Sequence, residues 1–287
     1  RVPGHGAALS VGEGRMAPLA GFSGEPIMMP ESKNRFDDFF GDRQYVSLKN
    51  YLYNYLLRKR AVERTMRREK KELVLETGSG ISPVMTSWER MVYSDVSPSA
   101  MAMLKQMMNG KGRCVVADAA RLPFEKESFS HVICSEVLEH IEDDRAALRE
   151  INRVTKTGGA LVVTFPHRRF YFAHDDRFVH HYRRYELSEM ISLLEETGFG
   201  PVDVQKVLGP LEKVTMLLVT AGVSASQNLR RKGSPTKEKK LPGEFLIRLF
   251  KGLNVIYAGL AWLDAVVMPR ALSTVLLIKA KKVGPPA

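Results

Sequence analysis

A chain of 287 residues, 44% hydrophobic and 26% charged, has enough apolar material for a packed core and too little bias for a fibre or a wholly disordered polymer. Lysine plus arginine outnumber aspartate plus glutamate 43 to 32, a net charge of +11 that favours anionic partners without choosing among nucleic acid, acidic lipid and phosphorylated substrates. The two cysteines, Cys114 and Cys134, sit in the apolar runs RCVVADA and HVICSEV. That placement argues against a disulfide framework or a zinc site and suits reduced core thiols in a cytoplasmic setting.

Residues 1–35 are rich in Gly, Pro, Ala and Met, lack the apolar run of a secretory signal, and read as a flexible N-terminal tail. A core with its own N-terminal helix is expected over 36–208. From Tyr45 to about Arg68, Leu48, Leu52, Tyr55, Leu56 and Val62 recur near helical spacing, predicting a helix packed before the first strand. LVLETG is strand one and breaks at Gly78, and SPVMTSWER is read as a short first helix. MVYSDV (91–96) is strand two. PSAMAMLKQMMNG is a helix with Pro98 in its first turn and Gly110 as its stop. CVVADA (114–119) and SHVICSEV (130–137) are strands three and four. DDRAALREINRVTKTGG reads as a helix running to its glycine pair, followed by strand five, ALVVTFP (160–166). LSEMISLLEETGF has Ser188 as cap candidate and Gly198 as stop; VDVQKVL (202–208) and TVLLIKAKK (274–282) are strands six and seven. Continuous apolar strands alternating with helices predict an α/β fold with a mainly parallel sheet covered on both faces.

Residues 209–273 separate the last two strands and form a helical, basic insertion, leaving 274–287 as final strand and tail. The insertion holds the apolar piece VTMLLVTAGV, the basic stretch LRRKGSPTKEKK, and FLIRLFKGLNVIYAGLAWLDAVV. In the last, Leu246, Leu249, Leu253, Ile256, Leu260, Leu263 and Val267 share one helical face, and Arg248, Lys251, Asn254 and Asp264 lie off it. Neither apolar piece is a clean charge-free span of roughly 20 residues, so both read as amphipathic helices. Basic residues beside apolar faces suit a peripheral site on an anionic membrane surface, at the inner membrane face. A cover over the sheet and a homodimer contact are the competing readings. The insertion is expected at one sheet edge, projecting away from the core.

The turn ETGSG (76–80) bears on the chemistry. A G-x-G after a strand fits nicotinamide, flavin and S-adenosylmethionine sites alike, and the dinucleotide fingerprint wants a third glycine where this chain has Ser82. Glu76, just before the glycines, would repel a pyrophosphate and can accept from an ammonium group. Asp95 ends strand two, where a carboxylate can hold ribose hydroxyls. Asp118 ends strand three, where one can accept from an adenine amino group. Three acids at the carboxyl ends of three successive strands make a cap or loop role for all of them a poor explanation.

With ETGSG, SDVS, ADAARLPF, SEVLEHI and KTGGALVVTFP all present, the chain resembles the class I S-adenosylmethionine-dependent methyltransferases, in the type 11/23-like group, from about residue 45 to 208 plus the final strand. The resemblance implies a Rossmann-like seven-stranded sheet with its last strand antiparallel, and S-adenosylmethionine as cofactor. It implies that Glu76, Thr77, Gly78, Ser79 and Gly80 hold the methionine part. Asp95 and Val96 would take the ribose and adenine face, Asp118 and Ala119 the adenine edge, and Ser135 and Glu136 the floor beneath the sulfonium. Ser82 and the short first helix depart from the family pattern.

The implied reaction is direct displacement, in which a general base matters only for an acceptor such as a hydroxyl. Glu136, His140, His167 and His181 are the catalytic candidates. The segment HHYRRYELSEM resembles the H-x-R-R-Y segment of many family members, and the cluster that leads into it, FPHRRFYFAHDDRFVHHYRRYE, is read as a substrate-facing lid over the strand ends. Against catalysis, the histidines can pack locally and the arginines can pair with Asp175, Asp176 and Glu186. No metal is assigned; the alternative, from resemblance to some small-RNA and quinone methyltransferases, makes Glu136, Glu139 and His140 ligands of a divalent ion. The expected acceptor is a small molecule, lipid or lipid-linked group. An RNA methyltransferase is disfavoured by CSEV where base-amino enzymes carry N/D-P-P-Y, and by the lack of a P-C loop. A non-enzymatic cofactor-binding module is disfavoured by the intact strand-end acids.

Overall fold

The computed structural model describes residues 48–232 and 244–283. The expected tail over 1–35, and the part of the basic stretch after Lys232, lie outside the described residues. Seven strands form one sheet in the order β3-β2-β1-β4-β5-β7-β6. Strands β1 (Val74–Thr77), β2 (Met91–Asp95), β3 (Arg113–Val116), β4 (Phe129–Ser135) and β5 (Thr155–Pro166) pair in parallel. β7 (Val275–Lys282) is antiparallel to both β5 and β6 (Phe199–Leu208).

Every residue of β1 and β4 is buried, because helices cover both faces. Successive side chains go to opposite layers. Val74, Ile133, Val162 and Leu277 join a cluster with α1 (Tyr53–Met66), α2 (Pro98–Met107) and α7 (Glu244–Val267). Leu75, Val132, Leu161 and Leu276 join another with α3 (Asp144–Val154) and α5 (Leu187–Glu196). Between the two lies α4 (His174–Phe178), and α6 (Pro210–Lys232) precedes α7. The chain builds β1, β2 and β3 outward one way and resumes with β4 on the other side of β1, so the topological switch falls between β1 and β4. Ligands of open parallel sheets bind at that crevice, beyond the strands' carboxyl ends.

Strands three, four and six shift at their ends (to Arg113–Val116, Phe129–Ser135 and Phe199–Leu208), and four further differences have a clear physical cause. The predicted N-terminal helix is interrupted: Leu48 and Lys49 are helical, Asn50 and Tyr51 turn, Leu52 is extended (φ −66°, ψ 136°), and α1 runs from Tyr53. No helix forms over Ser82–Arg90, because the Val84 and Met85 N–H groups donate to the Glu76 carboxylate instead of to helical carbonyls. Helix α3 stops at Val154, and Thr155–Gly159, expected as the helix end, opens β5 instead, with a bulge where pairing jumps from Phe129–Thr155 to His131–Ala160. Ser188 does not cap α5; Glu186 occupies the cap position and its N–H donates to Glu189 at 3.0 Å.

The two long helices are fixed to this frame by polar contacts. Asp264 accepts from the Leu211 N–H at the start of α6, at 3.0 Å. Asn254 accepts from the Tyr53 N–H that opens α1, at 3.3 Å. Lys206 of β6 donates to the Val266 and Met268 carbonyls at 2.8 and 2.6 Å, meeting the negative end of α7.

Candidate active site

A cavity of about 550 Å³ opens at the switch point, within the roughly 300–1,000 Å³ of small-molecule sites. Its first half is made by strand ends. Gly78 (φ +68°) and Gly80 (φ +52°) carry the chain away from β1 in a conformation that favours glycine. A Cβ on Gly78 would overlap the Val137 side chain. Glu76 is buried beneath this turn, its oxygens accepting from Val84 and Met85 at 2.7 and 3.0 Å. Burial raises its pKa to about 8, against the pull of those two N–H donors. Asp95 accepts from the Gly80 and Ser97 N–H groups, each at 2.9 Å, which fixes its carboxylate and leaves further lone pairs. Its pKa is raised, first by burial. Val96 exposes its side chain at the cavity wall, and Asp118 accepts from Ala120 at 2.9 Å across the turn after β3. At the end of β4, Ser135 bonds Thr164 at 2.9 Å and Thr164 donates to Glu136 at 3.1 Å. Glu136 itself sits at φ +55°, a strained conformation for a residue with a side chain.

The second half is ionic. Asp176 accepts from the Arg184 Nε at 2.7 Å and from Lys213 at 2.7 Å, and its Oδ1 lies 3.0 Å from the His181 Nδ1. Lys213 also bonds both oxygens of Asp175, at 2.7 and 2.8 Å. Burial works to raise the Asp176 pKa, but the His181 bond, the Arg184 charge and the Lys213 bond together hold it below the usual carboxylate range. Lys213 belongs to α6, and its neighbours Glu212 and Met216 line the cavity. The insertion is therefore a wall of the site and does not simply project from the sheet.

Glu139 is fully buried, and among the described residues neither of its carboxyl oxygens has a hydrogen-bond partner. Burial, then the nearby Glu136 charge, pushes its pKa well up; its own backbone N–H pulls the other way without hydrogen-bonding geometry. The His181 Nε2 lies 3.8 Å from the Glu139 Oε1, and the His140 and His181 rings meet edge-on at 4.7 Å. Donor atoms of Glu139, His140 and His181 all fall within 4.8 Å of one another. With Nδ1 held by Asp176, His181 turns its Nε2 toward Glu139, the arrangement of a carboxylate-oriented metal-binding histidine. The set compatible with a cation thus includes His181 in place of Glu136, which is engaged with Thr164.

Residues 75–163 match the family model described as a methyltransferase domain. That segment is a methyltransferase domain. Over 95 residues the chain is 40% identical to the demethylmenaquinone methyltransferase of Corynebacterium glutamicum, covering 32% of this chain and 40% of that protein. The match thus spans about two fifths of the curated relative's length. Among solved structures, a chain of the complex between the Haloferax volcanii Trm112 methyltransferase activator and a methyltransferase superposes with a TM-score of 0.57 at 14% identity, covering 88% of this chain and 100% of that one. The N-methyltransferase NodS of Bradyrhizobium japonicum, solved with S-adenosyl-l-homocysteine, gives 0.54 at 14% identity, covering 88% of this chain and 97% of that one. These likenesses carry the class I fold across the sheet.

Within the methyltransferase domain, Glu76, Thr77, Gly78, Ser79, Gly80, Asp95, Val96, Asp118, Ala119, Ser135 and Glu136 all line the one cavity. Of the catalytic candidates, Glu136, His140 and His181 do too. His167 does not: it is buried beside the sheet, its Nδ1 bonded to the Ser273 carbonyl at 2.9 Å and its N–H to the Thr274 carbonyl at 2.7 Å. It ties the end of β5 to the entry of β7. Lys49, Asn54, Tyr55 and Arg58 line the cavity from the N-terminal side, where periodicity predicted only a packing helix. Tyr55 does both, donating from its hydroxyl to the Pro83 carbonyl at 2.9 Å. Sequence reasoning missed Glu212, in the first turn of α6, because it belongs to no family motif.

Proposed function

We propose that the chain is an S-adenosylmethionine-dependent methyltransferase that methylates a small-molecule, lipid or lipid-linked acceptor by direct displacement. The observation that supports this most is the gathering of all eleven strand-end residues around one cavity. The residues fit the cofactor: the glycine turn leaves its backbone approachable, Asp95 is held rigid with spare lone pairs, and Val96 offers an apolar face at the cavity wall. S-adenosylmethionine supplies a methyl on a sulfonium, a good leaving group, so alignment and water exclusion are the protein's main tasks.

On the acceptor side, Glu212 is buried, its Oε2 has no hydrogen-bond partner among the described residues, and burial pushes its pKa up to about 7, so it can take a proton from a hydroxyl acceptor. Arg184 and Lys213, locked on Asp175 and Asp176, hold the wall in place. The name of the demethylmenaquinone methyltransferase relative supports an acceptor of lipid character. Calorimetric titration with S-adenosylmethionine and its demethylated product is the first test; the absence of heat with either, on folded protein, removes the proposal.

The unpartnered, buried Glu139 carboxylate favours a second reading, in which Glu139, His140 and His181 hold a divalent cation that would polarise or orient the acceptor. Manganese titration followed by electron paramagnetic resonance, with Glu139→Gln as control, separates the two. Tight manganese binding lost in the variant, with turnover abolished by EDTA and restored by magnesium, establishes the second reading. Turnover that survives EDTA retains the metal-free one.

A further inference from the structure

Among the described residues, fourteen of the twenty-two exposed large apolar side chains lie on α6 and α7. On α7 they form the stripe Leu249, Leu253, Ile256, Leu260, Leu263 and Val267, with Ile256 67% exposed. Its opposite face, through Tyr257, Ala258, Ala261 and Ala265, packs on the sheet. On α6, Val214, Leu217, Leu218 and Val219 continue the exposed apolar surface, and Leu218 is 70% exposed. Residues Ile247–Val267 are long and apolar enough to cross a membrane by length and composition, and only 17% of that stretch is buried.

We infer that the outer surface of α6 and α7 seats on an anionic lipid bilayer, lying in its interface, and that the acceptor cavity takes its substrate from that side. Crossing the bilayer is ruled out by the way α7 is tied down. Asn254, Asp264 and the carbonyls of Val266 and Met268 are all bonded to the folded core, so the helix cannot leave the sheet without breaking these contacts. What remains free is one face, which suits an amphipathic helix inserted in the plane of the membrane.

Charge selects lipid over a second copy of the chain. Cations border the apolar stripe: Arg60 stacks on Trp262 at 5.5 Å, Lys251 on Tyr51 at 4.0 Å, and Arg270 is exposed beyond the end of α7. In sequence, residues 229–240, the last residues of α6 and those that follow them, hold six basic residues and one acidic. A two-fold contact through this surface would set like charges against each other, whereas anionic headgroups meet them with opposite charge. Trp262, 40% exposed with a cation over its ring, is the amphipathic kind of side chain found at headgroup level. Because Glu212 and Met216 of α6 line the cavity, the same helix connects lipid surface and active site. Only this last link, the delivery of the acceptor from the bilayer, rests on the lipid-type acceptor proposed above.

The chain has two tryptophans, so Trp88→Phe leaves Trp262 as the sole fluorophore. The full-length Trp88→Phe protein is mixed with phosphatidylcholine vesicles, with and without phosphatidylglycerol, some carrying brominated acyl chains. The expected result is co-sedimentation with acidic vesicles, a blue shift of Trp262 emission and quenching by brominated lipid. Adding Leu253→Glu and Leu260→Glu should abolish all three, and salt should weaken binding to acidic vesicles by about tenfold or more. Cofactor calorimetry on the same variant should be unchanged, which shows that it is folded and keeps the two claims apart: loss of cofactor binding by the parent protein counts against the enzyme, not against docking. Absent vesicle binding, unquenched Trp262, or equal binding by the double glutamate variant overturns the inference. So does a dimer in sedimentation velocity that the glutamates dissociate while vesicles go unbound.

Discussion

Glu212 lies in a wall of basic and apolar side chains, and burial lifts its pKa from 4.5 to about 7, with Arg184 and then Thr274 working to lower it. A carboxyl raised on folding favours the folded state while protonated. Its contribution is full below about pH 4.5 and is lost as pH rises through about 7. Glu212→Gln should therefore flatten the fall in melting temperature between pH 5 and pH 8; a fall as steep as the parent's would show that Glu212 is not the titrating group. If Glu212 is also the base for a hydroxyl acceptor, turnover should rise through about pH 7 in the parent and drop on the order of 10²-fold in the variant. At the cofactor end, Gly78→Ala adds a Cβ against Val137 at φ +68°. The left-handed backbone alone costs about 1–2 kcal/mol. Thermal melts should show lower stability, and calorimetry weaker cofactor binding; an unchanged melting temperature would mean the turn can relax.

Helices α6 and α7 show what a sequence pattern leaves open. Helical spacing identified the leucine stripe of α7, but a second stripe, Asn254, Tyr257, Ala258, Ala261, Asp264 and Ala265, has the same period. Periodicity cannot say which face turns inward. Close packing decided it, because alanines let the helix approach the sheet while Asn254 and Asp264 cap the starts of α1 and α6. The strands were legible because fully buried parallel strands are continuous apolar runs, and the three acids because they follow those runs directly. The segment after Gly80 was misread as helix because the deciding partner, Glu76, is a tertiary acceptor that no local propensity records. The same reasoning covers Lys213, whose partners Asp175 and Asp176 lie 38 and 37 residues away. Lys213→Met should destabilise the protein by about 3–5 kcal/mol, since it leaves buried carboxylates short of their cation. Chemical denaturation measures this; a loss below about 1 kcal/mol would mean that Arg184 and His181 suffice.

Across the whole molecule, one sheet organises the two walls of one cavity. The parallel half, β1 to β4, presents acids and glycines at its carboxyl edge, and the antiparallel pair β6–β7 supports the insertion that forms the opposite wall. The family-matched segment, 75–163, holds the strand-end residues of the first wall and ends before the ionic wall of His181, Arg184, Glu212 and Lys213. This division explains why the motifs point to a methyl donor and leave the acceptor open. The central claim, that the strand-end residues form an S-adenosylmethionine site, is tested most directly by titration calorimetry on the full chain and on Asp95→Ala. Saturable binding of S-adenosylmethionine and S-adenosylhomocysteine at one site per chain is predicted. Asp95→Ala should weaken it by about 1.5–3 kcal/mol, the worth of a hydrogen bond to a charged group. No heat with either ligand on folded protein, or undiminished affinity in the variant, would contradict it.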